Sequence, residues 1–250
     1  MNKPIKFQCV TDCSSICCGG ATILTLKEIV KLFKFFPITL GFRKIQPFNA
    51  EHRVYLDDIS IKYRGFYITG DFIGGNRLKT RCRLLKNSLC TIHNQLKPLQ
   101  CRIIPFSVTF PEVLQDLVIV DKKGGAFREC KGFYADAPLI WDGQFIDKSL
   151  KENFDILKEY LMFQRDIVEK IFISLEGNSL FKKFIQTGDG FFEVPILPEF
   201  VDEICSITGI LDRVEFLRAQ KSLFVKELTF RGMKNSLFID ALNTIEQLRI

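Results

Sequence analysis

The sequence predicts an α+β fold, with a small cysteine-rich domain of short strands plus one helix packed on a mainly helical C-terminal region. Three observations predict it. Eight of the nine cysteines lie in the first 130 residues, short strand-like runs separated by turn residues lie in the same part, and helical periodicity dominates beyond residue 150. We therefore expect one domain over residues 1–140 and a second over 141–250, with turn chemistry at Asp136 and Gly143 near the boundary.

The first domain is expected to contain one helix followed by strands. Thr25 and Glu28 have the spacing of a capping box, which predicts a helix from this point to Phe36, ended by Pro37. Strands are expected over residues 53–59, 61–69 and 118–120, and a hairpin with its turn at 86–88 over residues 82–92.

The second domain is expected to be helical because apolar residues recur every three or four positions along it. The predicted helices cover residues 150–175, 179–186, 199–207, 210–228 and 236–248.

Composition limits the class of protein and its partners. The 250 residues are 47% hydrophobic and 26% charged, and the formal net charge of +6 is spread along the chain without a basic tail. This distribution does not indicate a nucleic-acid partner. No apolar run reaches the ~18–20 residues of a membrane span, and residues 1–7 do not resemble a signal peptide. We therefore expect a cytoplasmic protein, whose thiols are kept reduced and serve some purpose other than disulfides.

The first group of cysteines is dense. Cys9, Cys13, Cys17 and Cys18 fall within ten residues, and two glycines follow them. Closely spaced cysteines of this kind ligate zinc or iron–sulfur clusters. The side chains of the adjacent Cys17 and Cys18 point in different directions in either helix or strand, so they are expected to serve two metals, or two irons of one cluster.

The second group consists of Cys82, Cys90, Cys101 and Cys130. A hairpin with a cysteine at each end brings both thiolates to its open end, as in a zinc knuckle. Together the two groups supply eight thiolates, which divide into two sets of four and match tetrahedral zinc or a four-cysteine cluster. The remaining Cys205 stands alone in a helical pattern and is expected to be a core residue.

Two histidines accompany the cysteines. His93, three residues after Cys90, is either a metal ligand or a surface or hydrogen-bonding neighbour of the site. His52, between Glu51 and Arg53, is expected to be exposed.

The ordered motifs resemble those of the CxxCxxCC cysteine-cluster family. They are Phe-x-Cys before a Cys-Cys pair, a Leu-Thr-x-x-Glu-Ile-like helix, a hairpin with two cysteines, Pro-x-x-Cys-Arg-x-x-Pro-Phe and a final Cys-x-Gly, at residues 7–18, 24–29, 82–92, 98–106 and 130–132. The first cysteines are spaced more widely than the family name indicates, and Lys131 stands where the family often has proline. The resemblance implies zinc or iron chelation, or an iron–sulfur cluster. One branch of this family resembles flagellin lysine-N-methylases.

Three functional hypotheses follow. The first is an iron–sulfur protein, with a [4Fe–4S] cluster and a second metal site, that has a redox, maturation or regulatory role. The second is a structural zinc module that binds an unknown protein partner. The third, implied by the resemblance alone, is an S-adenosylmethionine-dependent protein lysine methylase. The candidate metal ligands are Cys9, Cys13, Cys17, Cys18, Cys82, Cys90, Cys101 and Cys130.

Overall fold

The structure is a computed structural model that describes residues 3–10, 17, 22–74, 82–87, 89–93, 95–125, 127–187, 190–195, 198–209, 212–231, 239, 242–243 and 245–246. The strands of these residues are β1 (Ile5–Lys6), β2 (Thr22–Ile23), β3 (Ile38–Ile45), β4 (Ile61–Tyr63), β5 (Phe66–Gly74), β6 (Leu85–Lys86), β7 (Leu89–Cys90), β8 (Leu139–Trp141) and β9 (Phe191–Pro195). The helices are α1 (Leu26–Leu32), α2 (Ala50–Ile59), α3 (Leu99–Arg102), α4 (Gln115–Gly124), α5 (Lys148–Ser174), α6 (Ser179–Gln186), α7 (Pro198–Thr208) and α8 (Arg213–Arg231). The predicted α+β class is confirmed.

The main sheet is antiparallel, with strand order β2-β5-β3-β9 and β4 paired to β5. Its longest pairing joins β3 to β5, where Gly41 lies opposite Asp71. On the other side of β3, Gly41 lies opposite Glu193 of β9. A strand from the C-terminal half of the chain therefore completes a sheet whose other strands come from the N-terminal half.

Helix α5 packs directly on this sheet. A Cβ atom added to Gly70 would lie 2.1 Å from Cγ1 of Val168, so the missing side chain of Gly70 allows the close approach of α5 to β5. Around this contact the core is rich in phenylalanine, and the rings of Phe42, Phe172 and Phe181 meet edge to face. The predicted division at residue 140 stays a prediction, although this core includes residues from both parts of the chain.

Several predicted elements are confirmed. Thr25 caps α1 and forms the capping box with Glu28, although the helix ends at Leu32, where a turn closed by the bond from Phe35 N to Leu32 O begins. The hairpin forms as β6 and β7, with Asn87 at a φ of 51° in its turn. Helix α6 has the predicted bounds, and α5, α7 and α8 lie close to theirs. Most of the helix predicted over 236–248 lies outside the described residues.

Two predicted strands are wrong. Residues 53–59 belong to α2, which begins where the Asn49 side chain accepts a hydrogen bond from His52 N, and its buried residues recur at helical spacing. Residues 118–120 belong to α4. Both runs are rich in β-branched or aromatic residues, but packing of one helical face decided the outcome over local propensity.

The expectation for His52 is also wrong, because this side chain is completely buried. Its Nδ1 accepts a hydrogen bond from Phe48 N at 3.1 Å, and its Nε2 donates to Thr109 O at 3.0 Å. The ring also stacks on Phe110 with 4.4 Å between ring centroids. Two hydrogen bonds therefore fix one neutral tautomer and hold α2 to the loop before α4.

No helix in the described part of the chain is both long and apolar enough to cross a membrane.

Candidate metal centre

Six of the eight predicted ligands lie in the described part of the chain: Cys9, Cys17, Cys82, Cys90, Cys101 and Cys130. Cys13 and Cys18 lie outside it. No two of the six form a disulfide, and all except the exposed Cys9 are half-buried.

Cys9, Cys17 and Cys130 line one small pocket. Its walls are apolar, and they include Phe7 and Ile104. Cys130 packs against the buried cluster that contains Phe7, so its thiol lies where the core meets the surface. The fold therefore brings Cys130 to two cysteines of the N-terminal group, from which it is distant in the sequence.

Close contact between two backbone segments brings Cys130 to Cys9. Gln8 N donates a hydrogen bond to Gly132 O at 3.0 Å, two residues beyond Cys130. A Cβ atom at Gly132 would lie 2.5 Å from Cε2 of Phe7 and 2.8 Å from the carbonyl oxygen of Gln8, which is closer than real Cβ atoms come to backbone. The final glycine of the Cys-x-Gly motif is thus required for this contact.

Cys82 and Cys90 stand at the base of the β6–β7 hairpin. Leu85 pairs with Cys90, and Leu85 N donates to Cys82 O at 3.0 Å. Burial raises the pKa of the Cys82 thiol, and the neighbouring Cys90 thiol raises it further. The hairpin therefore has both cysteines at its base, where their thiols interact electrostatically.

Cys101 lies on the one-turn helix α3, which Glu28 of α1 holds in place. The two carboxylate oxygens of Glu28 accept hydrogen bonds from Thr25 N at 2.8 Å and from Leu99 N at 2.6 Å. The Cys101 Sγ atom lies 3.8 Å from Oγ1 of Thr22, a hydrogen-bonding distance for sulfur. Through Glu28, the N-terminus of α1 positions the turn that carries Cys101.

The thiols affect one another electrostatically. Burial raises the pKa of the Cys101 thiol to about 12, and the nearby Cys82 and Cys17 thiols contribute to the rise. A thiol that is buried beside other thiols is costly to ionise unless a cation lies among them. Cys17 lines the pocket with Cys9 and Cys130 and also interacts electrostatically with Cys101, so it connects this pocket to the turn that carries Cys101.

The donor set suits a thiophilic metal, because thiolates are the ligands of zinc and of iron–sulfur clusters. Among the described residues, no three His, Cys, Asp or Glu side chains are already arranged to hold a metal ion. Those residues supply six of the eight predicted thiolates, and the N-terminal group is represented by Cys9 and Cys17 alone.

The remaining candidates have other environments. His93 is exposed, and its backbone nitrogen donates to Cys90 O at 3.2 Å. Its pKa is lowered, first by the positive charge of Lys97 and then by burial. Cys205 lies on α7 and packs against the main core, which agrees with its expected role.

Two residues that position the cysteines, Glu28 and Gly132, make long-range contacts that the sequence does not predict. Glu28 was expected to cap α1, but its bond to Leu99 N joins residues 71 positions apart and has no local signal. The contact of Gly132 with Phe7 and Gln8 likewise depends on the tertiary structure. A glycine two residues after a predicted ligand is the only hint that the sequence offers.

Comparisons with known proteins yield no relative: no family model matches the chain, and neither a curated protein nor a solved structure matches it. The resemblance to the CxxCxxCC family stays a prediction.

Proposed function

We propose that this chain is an iron–sulfur protein that holds a [4Fe–4S] cluster, with a second metal site, through thiolates of the eight N-terminal cysteines and has a redox, maturation or regulatory role. One observation carries the proposal: Cys130 lines a common pocket with Cys9 and Cys17 of the N-terminal group, although it lies far from them in the sequence. Isolated core cysteines have no reason to converge in this way.

The electrostatics of the second group support the proposal. Cys82 raises the pKa of the Cys101 thiol, and Cys17 of the first group raises it as well. Cys90, on the β6–β7 hairpin, raises the pKa of the Cys82 thiol. Each of these thiols is half-buried, so ionised sulfur needs a compensating positive charge. A bound metal supplies that charge, and binding would release the thiol protons.

The chain's own residues would orient the thiolates. Glu28 fixes the turn that carries Cys101, and Gly132 allows the segment of Cys130 to approach Cys9. Thr22 lies within hydrogen-bonding distance of the Cys101 sulfur and would contribute a hydroxyl donor, which is one way in which proteins adjust the potential of a cluster.

The zinc hypothesis remains as a second candidate because of the hairpin. Cys82 and Cys90 both lie at the base of the β6–β7 hairpin, which supports a zinc knuckle at this end. In that case the metals would hold together a surface that binds a protein partner. The lysine methylase hypothesis stays a prediction from the family resemblance.

Anaerobic purification followed by iron, acid-labile sulfide and zinc analysis tests the proposal. An iron–sulfur protein is expected to be brown and to contain iron and sulfide in equal amounts. A colourless protein with about two zinc ions per chain would replace the iron proposal with the zinc one.

Three variants test the ligand set. Cys101→Ser and Cys130→Ser are expected to lower the metal content, because each removes one thiolate. Cys205→Ser is the matched control and should keep the full content, since this cysteine packs against the core. If Cys101→Ser and Cys130→Ser both keep all their metal, the assignment of ligands is wrong.

A further inference from the structure

A groove with a basic rim lies beside the turn that carries Cys101. It is formed by α1, the segment from Gln95 to Arg102 and the middle of α5. The cavity in this groove measures about 280 Å³, close to the lower end of the ~300–1,000 Å³ typical of small-molecule sites, so it suits a small ligand.

Four cationic side chains line this groove, Lys27, Lys31, Lys97 and Arg102, against the single carboxylate of Glu28. That carboxylate is already engaged, because it accepts hydrogen bonds from Thr25 and Leu99. It still carries one negative charge, so the four cations of the groove exceed it by three positive charges.

The cations are not paired as other surface lysines are. Elsewhere Lys34, Lys62 and Lys170 each form an ion pair with a carboxylate. Among the described residues, Lys31, Lys97 and Arg102 have no such partner, and Arg102 Nε donates only to Lys97 O at 2.8 Å. Three cations that line one groove without an ion-pair partner repel one another, and an anion would relieve that repulsion.

The floor of the groove is apolar. Leu32 is buried, and Ile156 of α5 is 43% exposed although it faces a concave surface. Tyr160 adds an aromatic ring, and the Lys27 ammonium lies 5.5 Å from its centroid. An apolar floor below a cationic rim is complementary to a molecule with a hydrophobic body and an anionic head.

We propose that this groove binds a small phosphate monoester with an aromatic or other apolar body. The phosphate would lie among Lys31, Lys97 and Arg102, and the body would cover Ile156 and Tyr160. A phosphate monoester is favoured over a carboxylate because it carries close to two negative charges and three acceptor oxygens, which match several converging cations.

Calorimetric titration of the purified full-length protein tests this proposal. The probe is 1-naphthyl phosphate; 1-naphthoate, 1-naphthol and inorganic phosphate are compared with it. We expect 1-naphthyl phosphate to bind with a Kd below ~1 mM, at least about tenfold tighter than each of the other three. Added salt should weaken this binding because the rim is solvent-exposed.

Variants separate the two halves of the site. Lys31→Gln and Lys97→Gln should each weaken binding of 1-naphthyl phosphate by about tenfold, the usual effect of losing one charged hydrogen bond. Ile156→Asn should also weaken it. Lys226→Gln, which removes an exposed lysine of α8, is the matched control and should leave the Kd unchanged.

Each alternative result has one meaning. The proposed binding site would be wrong if 1-naphthyl phosphate did not bind at ~1 mM. It would also be wrong if Lys226→Gln weakened this binding as much as Lys31→Gln and Lys97→Gln do. Equally tight binding of 1-naphthol or 1-naphthoate would overturn the assignment to a phosphate monoester. Lys31 and Lys97 are surface residues, and the circular dichroism spectra of their variants should match that of the wild type.

Discussion

The contact made by Gly132 can be tested by one added methyl group. In Gly132→Ala the new Cβ would lie 2.5 Å from Cε2 of Phe7 and 2.8 Å from the carbonyl oxygen of Gln8. Because the second neighbour is backbone, a rotamer change of Phe7 cannot relieve both clashes. The segment that follows Cys130 must therefore move away from the segment before Cys9.

The expected loss follows from two contributions. Overpacking by one methyl group in a tight contact costs about 1–3 kcal/mol. Separation of the segments also weakens the bond from Gln8 N to Gly132 O, worth about 1 kcal/mol. We expect the free energy of unfolding of the metal-free protein to fall by about 2–4 kcal/mol. The metal content should fall as well, because Cys9 and Cys130 would no longer line one pocket.

Urea unfolding followed by tryptophan fluorescence measures this loss. Trp141 is the only tryptophan, is completely buried, and packs in the same apolar cluster as Phe7. Gly124→Ala is the matched control: its Cβ would meet no atom within 4 Å, and Gly124 ends α4, where alanine adds up to about 1 kcal/mol of helix stability. If Gly132→Ala lies within ~0.5 kcal/mol of the wild type, the close contact does not hold the two cysteines together.

Three further predictions concern polar side chains that are buried or half-buried. Burial lowers the pKa of His52 below its usual 6.5, so the contribution of the neutral ring to stability is complete above pH 6.5 and is lost as the pH falls through the lowered pKa. Between about pH 7.5 and 5, the free energy of unfolding in urea should fall further for the wild type than for His52→Gln. Equal falls in the two proteins would refute this prediction. Burial raises the pKa of Asp71 to about 6, and its Oδ1 has no hydrogen-bond partner among the described residues. Asp71→Asn should therefore stabilise the protein by up to about 3 kcal/mol above pH 6, with no gain below about pH 4. A gain that persists in thermal melts at low pH would exclude the ionised carboxylate as its source. Glu28→Ala should lower the free energy of unfolding by about 1–3 kcal/mol, because it removes the capping box and the bond to Leu99 N. Glu51→Ala in the first turn of α2 should change it by less than about 1 kcal/mol. Similar losses in both variants would show that only a negative charge in the first helical turn matters.

The sequence predicted what depends on local chemistry. The Thr25–Glu28 capping box, the turn at Asn87 and the bounds of α6 were predictable because each is decided by neighbouring residues. Residues 53–59 were misassigned because their aromatic and β-branched residues favour a strand, while the helical spacing of Tyr55, Leu56 and Ile59 is satisfied only when one face packs inward.

The candidate site was predictable as a list of cysteines and not as an arrangement. Which thiols converge depends on tertiary contacts, such as the bond from Leu99 N to Glu28 and the approach of Gly132 to Phe7. The burial of His52 depends in the same way on Thr109, which is 57 residues away. No local pattern contains that information.

The late position of β9 in the chain has a consequence for biosynthesis. β3 pairs with β5 on one side and with β9 on the other, so its second edge stays open until residues 191–195 have left the ribosome. During that interval the backbone N–H and C=O groups of this edge are available to another nascent chain, which is the usual origin of intermolecular strand pairing. A fragment that ends at residue 140 would keep this edge permanently open, and we expect it to aggregate where the 250-residue chain does not.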